Sequence, residues 1–315
     1  MENISKDKPA LLLCNHQNAL IDALIIASQL DGFAYFLTRA GVFKKNFVSK
    51  ILASFNMLPI YRIRDGWSNL TNNNSVFEKC KELLHNKNTL VIFPEGSHNL
   101  ARRVRPLSKG FTRIVFDTLE AYPDIDLELV PVGLNFVNAK DYVDSASIYV
   151  GNPIKAVNYL NENRNEAITE MRQDIHSAMS KLTTHLPSEN YDELVKGLDS
   201  LQVDYLNPQE VNTCIESNIE NCTKQTKSIG SPIKLFLKLL LKANVLLPYL
   251  LWKIWIQPKI KELEFTSTFR FAVAIILVPI YLILVSVIIA NYFGFQLAIV
   301  YFLSVIALAL LTVKL

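Results

Sequence analysis

Histidine is the side chain whose ordinary titration range lies nearest neutrality, and a carboxylate beside it fixes its tautomer and raises its basicity. The chain offers this pairing at short range in Asn15-His16-Gln17-Asn18-Ala19-Leu20-Ile21-Asp22, with Asp22 six positions after His16. Six residues of ideal helix turn through about 240°, so the two side chains face apart if both are helical. They meet only if His16 sits in a loop ahead of a helix and the carboxylate reaches back. Such a dyad takes a proton from a hydroxyl or an amine. By itself the octapeptide slightly favours the plainer reading, an N-terminal cap beside a surface histidine. The other histidines, His85, His98, His176 and His185, have no carboxylate at comparable spacing, and His176 and His185 read as surface residues.

Two further groups are suited to an anion. Arg62 follows Pro59-Ile60-Tyr61. A guanidinium at a strand end can fork a phosphate, though taken alone such a residue reads first as a surface arginine on a salt bridge. Phe93-Pro94-Glu95-Gly96-Ser97 closes the apolar run Thr89 to Phe93. Gly96 would let backbone amides approach an anion closely, while Glu95 would hold an arginine or accept a hydroxyl. The plainer reading of that pentapeptide is a strand followed by a turn.

These residues must be carried by an alternation of short apolar runs and helical segments, which argues an α/β layered domain. Strands are expected at Pro9 to Cys14, Phe33 to Thr38, Met57 to Ile63, Thr89 to Phe93, Leu127 to Phe136 and Ser147 to Val150. Helices are expected over Ala19 to Leu30, Val42 to Phe55, Asn72 to Asn86 and Lys109 to Ala121. Each candidate group then stands at or just past a strand end, where open α/β sheets bind ligands. The composition turns polar after Pro153. Glu162 to His185 reads as a helix with Ile168, Met171, Ile175, Met179 and Leu182 on one stripe, and Asp192 to Lys227 as short helices.

The end of the chain is different. Mean hydropathy is +0.21 over 315 residues, and the excess sits mostly here. Phe271 to Ala290 and Phe295 to Val313 are uncharged apolar runs of about the length that spans a bilayer, joined by Asn291-Tyr292-Phe293-Gly294. They read as a transmembrane hairpin with a kink at Pro279. Lys253, Lys259, Lys261 and Arg270 precede it and Lys314 follows it, which puts the hairpin's ends and the N-terminal domain on the cytoplasmic side. Ile233 to Ile256 carries Lys234, Lys238 and Lys242 at every fourth position and reads as one amphipathic helix on the bilayer surface. The domain plan is residues 1–160 for the α/β domain, 161–229 for the polar helical segment, 230–260 for the interfacial helix and 269–315 for the hairpin. With 32 basic and 29 acidic residues the net charge is only +3, which makes no case for nucleic acid. Cys14, Cys80, Cys214 and Cys222 match no zinc or redox spacing. All four read as reduced cysteines in a cytosolic setting, and no metal site is expected.

Taken in order, the His16/Asp22 block, the Arg62 block, Phe93-Pro94-Glu95-Gly96 and Val130-Pro131-Val132-Gly133 resemble the PlsC-type glycerolipid acyltransferases, which include the 1-acylglycerol-3-phosphate and glycerol-3-phosphate acyltransferases. The resemblance covers roughly the first half of the chain. It implies a mixed-sheet acyltransferase domain with flanking helices in which His16 and Asp22 are catalytic. It also implies that Arg62, Glu95, Gly96 and Ser97 bind the phosphate of the acceptor. The partners it implies are membrane lipids and an acyl donor, acyl-CoA or acyl carrier protein, used as co-substrate with no cofactor. The implied reaction makes phosphatidic acid for phospholipid synthesis, with glycerol-3-phosphate or another lysophospholipid as alternative acceptor. A non-catalytic lipid-binding membrane module is the alternative from another class. No serine or cysteine stands in a nucleophile-elbow sequence, so the acceptor hydroxyl is expected to attack directly.

Three features depart from the family pattern. Most members have four residues between the histidine and the aspartate; here there are five, a spacing shared by some glycerol-3-phosphate acyltransferases. His98 stands where many members have arginine after the Glu-Gly pair, and Arg102, Arg103, Arg105 and Lys109 just downstream are the candidates to replace that charge. Members also usually carry a membrane-seeking segment ahead of the histidine block. Residues 1–160 are therefore expected to be truncated at their start, to begin at a misassigned residue, or to dispense with that segment.

Overall fold

The structure, a computed structural model, describes residues 4–5, 7–62, 71–140, 144–219, 222–223 and 232–314. Ile63, the last residue of one expected strand, and parts of the 192–227 stretch lie outside them. The chain divides into two compact units, residues 1–137 with 145–224 and residues 138–144 with 225–315.

The first unit is built on one mixed sheet. Its strands are β1 (Ala10–Cys14), β2 (Tyr35–Arg39), β3 (Met57–Ile60), β4 (Thr89–Ile92), β5 (Glu128–Phe136), β6 (Ala146–Val150) and β7 (Ile154–Lys155). They run in the order β3-β2-β4-β1-β5-β6, with β7 also on β5. The first five are mutually parallel, and β6 and β7 run antiparallel to β5. Helices α1 (Ala19–Gln29), α2 (Asn46–Ser54), α3 (Asn73–His85) and α4 (Gly110–Ala121) connect the parallel strands. The expected Val42 to Phe55 helix is shorter than its apolar run: Ala40–Phe43 forms a separate 3-10 turn and α2 begins at Asn46.

All five residues of β1 and all nine of β5 are buried, as a parallel sheet covered on both faces requires. Leu11, Leu13, Leu90, Ile92 and Leu129 join one core cluster with Phe77, Leu84, Phe111, Ile114 and, from α5 (Arg164–Leu182), Met171, Ile175 and Met179. The stripe read from the sequence is thus the face that α5 buries. Gly133 allows the end of α5 to press on β5, because a β-carbon there would collide with the Leu182 carbonyl. Helices α6 (Tyr191–Leu201) and α7 (Pro208–Glu216) surround a smaller cluster of Leu186, Leu198, Tyr205, Val211 and Cys214. Here the cysteine expectation is corrected: Cys214 and Cys222 are joined as a disulfide across a separation of eight residues. The end of α7 and the turn after it bring the two sulfurs together, which spacing motifs for zinc or redox centres do not encode. Cys14 and Cys80 are free and buried.

The second unit contains α8 (Pro232–Asn244), α9 (Leu246–Leu250), α10 (Thr266–Phe293) and α11 (Phe295–Lys314). The last two are long and apolar enough to cross a membrane and form the expected hairpin. α10 continues unbroken through Pro279. The single amphipathic helix expected over Ile233 to Ile256 is not formed. The axis bends by 92° between Pro232–Asn244 and Leu246–Lys259. Pro248 supplies the reason, since inside one continuous helix its ring would clash with the carbonyl four residues back, at Asn244, where α8 ends.

Candidate active site

Because β1, β3 and β4 are parallel, their carboxyl ends share one edge of the sheet. His16 follows β1, Glu95 follows β4 and Arg62 follows β3, so three residues far apart in sequence emerge on one rim. β1 and β4 are direct neighbours with Leu13 opposite Ile92, which brings His16 and Glu95 together across 79 positions, the His16 backbone N–H lying 3.4 Å from Glu95 Oε1.

His16 stands in the loop between β1 and α1, as the dyad requires. Its Nδ1 lies 2.7 Å from Asp22 Oδ2. Asp22 is fully buried, and the same oxygen accepts the Gln17 and Asn18 backbone N–H groups at 2.8 Å each. Ala19 makes the sharp entry into α1 at φ +43°, in the left-handed region that a β-carbon disfavours. In the tautomer that donates from Nδ1 to Asp22, Nε2 is left to present its lone pair. The ring stacks on Phe93 with centroids 4.1 Å apart and meets His98 edge-on at 5.5 Å. Asn15 anchors the loop from below, exchanging two hydrogen bonds with the backbone of Leu134 in β5 at 2.7 and 2.9 Å.

The second wall is the turn after β4. Gly96 takes φ +71°, a conformation for which glycine is the ordinary choice. Arg62 Nη1 donates to the Gly96 carbonyl at 2.6 Å. Arg105 Nε donates to Glu95 Oε2 at 2.6 Å and its Nη1 to Ser97 Oγ at 2.7 Å, with Nη2 on the Ser97 carbonyl. Burial pushes the Glu95 carboxyl above its usual range, and the Arg105 charge draws it back. Arg62, Glu95, Gly96, Ser97 and Arg105 therefore meet in one cluster beside His16. The other downstream cations do not join it in the same way. Arg102 donates to the Phe136 and Val137 carbonyls at 2.6 Å each and lies over the Tyr205 ring at 3.5 Å. Arg103 is half-buried near His185, and Lys109 is exposed at the start of α4.

Sequence reasoning missed what holds Arg105. Its loop, Asn99 to Lys109, is fastened by residues from α5 onward. Arg172 Nε donates to the Leu107 carbonyl at 2.8 Å, and Tyr191 Oη accepts the Arg102 N–H at 2.8 Å. His185 Nδ1 accepts the Val104 N–H at 3.0 Å and His176 Nε2 reaches the Val104 carbonyl at 3.3 Å. These two histidines are not surface residues, as the sequence had suggested. They are half-buried edge-on partners, 5.7 Å between ring centroids. Burial, then the neighbouring His176 and Arg103, push His185 down to about 4. No carboxylate or sequence motif marks either one; α5 carries His176 to the loop, and the segment after α5 brings His185, whose backbone N–H donates to Asn212 Oδ1 at 2.9 Å.

Residues 1–135 match the family described as Acyltransferase. Glycerol-3-phosphate O-acyltransferase 1 of Saccharomyces cerevisiae is 25% identical over 114 residues, 34% of this chain and 15% of that protein. An uncharacterized acyltransferase of Schizosaccharomyces pombe is 26% identical over 117 residues, 36% of this chain and 17% of the relative. The chain thus spans only 15 to 17% of the length of the curated relatives it matches. The crystal structure of the 1-acyl-sn-glycerophosphate (LPA) acyltransferase PlsC from Thermotoga maritima overlays 56% of this chain and 68% of its own, at 17% identity and a TM-score of 0.40, too slight a likeness to argue from. Over residues 1–135, then, the chain is similar to acyltransferases, and the remaining residues lie outside that match.

Proposed function

We propose that this protein moves a fatty acyl group from a thioester, acyl-CoA or acyl carrier protein, to the free hydroxyl of 1-acylglycerol-3-phosphate, making phosphatidic acid. The observation that carries the reading is the 2.7 Å contact between His16 Nδ1 and a fully buried Asp22. His16 Nε2 takes the acceptor's hydroxyl proton as the oxygen attacks the thioester carbonyl. The carbon–sulfur bond breaks as the tetrahedral intermediate collapses, and the departing thiolate recovers the proton from His16. The products are the new ester and the free thiol. Asp22 holds the imidazole in the tautomer that can do this and stabilises the imidazolium between the two steps.

The acceptor phosphate is assigned to Arg62, Gly96 and Ser97, with Arg105 as a fourth contributor and Glu95 as the carboxylate that holds Arg105. The α10–α11 hairpin keeps the enzyme on the membrane, where a lysolipid resides, and the α/β domain is assigned to the cytoplasmic side. The Cys214–Cys222 disulfide suits an oxidising compartment better, so labelling of exposed lysines from each side of sealed vesicles is the direct check on that orientation.

Glycerol-3-phosphate is the second acceptor to consider, favoured by the name of the yeast relative and by the five residues between His16 and Asp22. Purified full-length protein in detergent, given each acceptor with each donor type, separates these readings. Transfer to lysophosphatidic acid that depends on His16 supports the first. Transfer to glycerol-3-phosphate alone supports the second. Lipid binding without transfer to any acceptor returns the chain to a non-catalytic module.

A further inference from the structure

The helix α2 is exposed where a crossover helix should be covered. None of its nine residues is buried. Val48, Ser49 and Leu52 face inward and are only half-covered. On the outer side Phe47, Ile51 and Phe55 recur every fourth position and form one ridge, with exposures of 75, 40 and 66%. Val42 extends the ridge at its amino end at 46%, and Phe33, which precedes β2, is 92% exposed. Lys44, Lys45 and Lys50 are exposed beside it. Solvent-facing phenylalanines arranged this way in a folded domain mark a surface that something covers.

We propose that this ridge seats the α/β domain on an anionic bilayer surface. A single apolar stripe flanked by lysines matches the boundary between acyl chains and anionic headgroups. No acidic side chain lies between Ala40 and Arg62 to oppose that charge. The chain also carries α10 and α11, both long and apolar enough to cross a membrane, so seating the ridge is an intramolecular event and a modest intrinsic affinity suffices. Position adds a consequence. β3 is the outermost strand, next to β2, and α2 is the crossover between them. Its amino end, with Val42, Lys44, Lys45 and Phe47, therefore lies toward the carboxyl edge of the sheet, the rim from which Arg62 emerges. Seating the ridge would hold that rim against the leaflet, so that a single-chain lipid reaches it without crossing water. The seating itself stands on the exposed ridge; only this consequence rests on the acyl-transfer reading.

The test uses the full chain reconstituted in vesicles of phosphatidylcholine with phosphatidylserine. A nitroxide is attached at Phe47→Cys or Ile51→Cys, with Lys196→Cys on α6 as the reference. Cys14 and Cys80 are buried and Cys214 is bonded to Cys222, so the added thiol takes the label. Seating predicts collisions with lipid-soluble oxygen several-fold above the reference at both positions, collisions with an aqueous nickel complex several-fold below it, and a smaller contrast in pure phosphatidylcholine. Labels as wet as Lys196 overturn the proposal. So does dipolar broadening between labels, which would give the ridge to a second copy, or shielding from both probes, which would give it to protein. A second arm compares turnover on a vesicle-borne long-chain acceptor with turnover on a soluble short-chain one. In Phe47→Glu/Ile51→Glu the ratio should fall about tenfold or more, since burying one such side chain is worth roughly that factor; an unchanged ratio overturns the consequence. If the wild type transfers to no acceptor, the functional reading fails while the label depths still decide the seating.

Discussion

The His16–Asp22 corner and the Asn99–Lys109 loop both end on Glu95, yet they are held in different ways. The corner is specified locally. Asp22 collects His16 Nδ1 and the backbone N–H groups of Gln17 and Asn18, all within seven residues of chain, and Asn15 fastens it to the neighbouring strand. The loop has local bonds as well, Arg105 on Glu95 and Ser97, the Ser108 N–H on the Pro94 carbonyl at 2.8 Å and the Asn99 N–H on the His16 carbonyl at 3.0 Å, but it also takes anchors from far along the chain. It is pinned by Arg172, His176, His185 and Tyr191, which the chain supplies only after the whole sheet has been made. The histidine wall, proposed as catalytic, is thus held by short-range bonds, and the arginine wall draws further support from α5 and the segment behind it. Damage to the first should abolish the reaction, and damage to the second should loosen the acceptor's grip.

The largest effect is expected at the corner. His16→Ala should lower kcat by about 10²–10⁴-fold at any acceptor concentration, with the fold intact by circular dichroism. Turnover near the wild-type rate in that variant would remove the base from the mechanism. Next comes Arg62→Lys, which keeps the charge and loses the fork. Hydrogen bonds to charged groups are worth about 1.5–3 kcal/mol, so KM for a phosphorylated acceptor should rise roughly 10- to 100-fold while kcat changes little. A rise in the donor's KM alone would move Arg62 to the thioester side.

The loop's dependence on α5 is broken more gently. Arg172→Met removes a charged donor from the Leu107 carbonyl and should raise the acceptor's KM severalfold, leaving kcat within about twofold of wild type. Equal losses in both constants would mean that α5 also positions the dyad. The same bracing predicts a pH dependence. His185 titrates near 4 in the folded protein against about 6.5 in an unfolded chain. Its folded value is depressed, so stability is full above pH 6.5 and is lost as the pH falls from 6.5 toward 4, by about 1–2 kcal/mol after discounting for partial exposure. His185→Gln keeps an acceptor for the Val104 N–H and should flatten that slope in denaturation curves taken across the interval. A slope unchanged in the variant would assign the acid lability elsewhere. The smallest effect on activity is expected from the disulfide. Reducing Cys214–Cys222 should lower stability by about 2 kcal/mol with kcat unchanged, because the bond closes a loop in the satellite cluster behind the arginine wall.

The sequence by itself determined the order of the first six strands and the helices between the parallel ones, the two long apolar helices, and the candidate residues at strand ends. These follow from periodicity, from glycine and proline at element boundaries, and from residue types that an ion or a proton requires, all properties of short windows of chain. Even the meeting of His16 with Asp22 was legible as a geometric condition, a loop histidine ahead of a helix that carries the acid. Tertiary structure decided the rest. Which of Arg102, Arg103, Arg105 and Lys109 reaches Glu95 is set by how the loop after β4 folds back under α5. The half-buried His176 and His185 looked like surface residues because their partner is a backbone group about 70 to 80 positions earlier, and hydrogen bonds to backbone leave no mark in sequence. The pairing of Cys214 with Cys222 and the 92° bend before Pro248 belong to the same class. Both arise from where a helix stops, and a stop is fixed by the competition between local clashes and the packing available on each side.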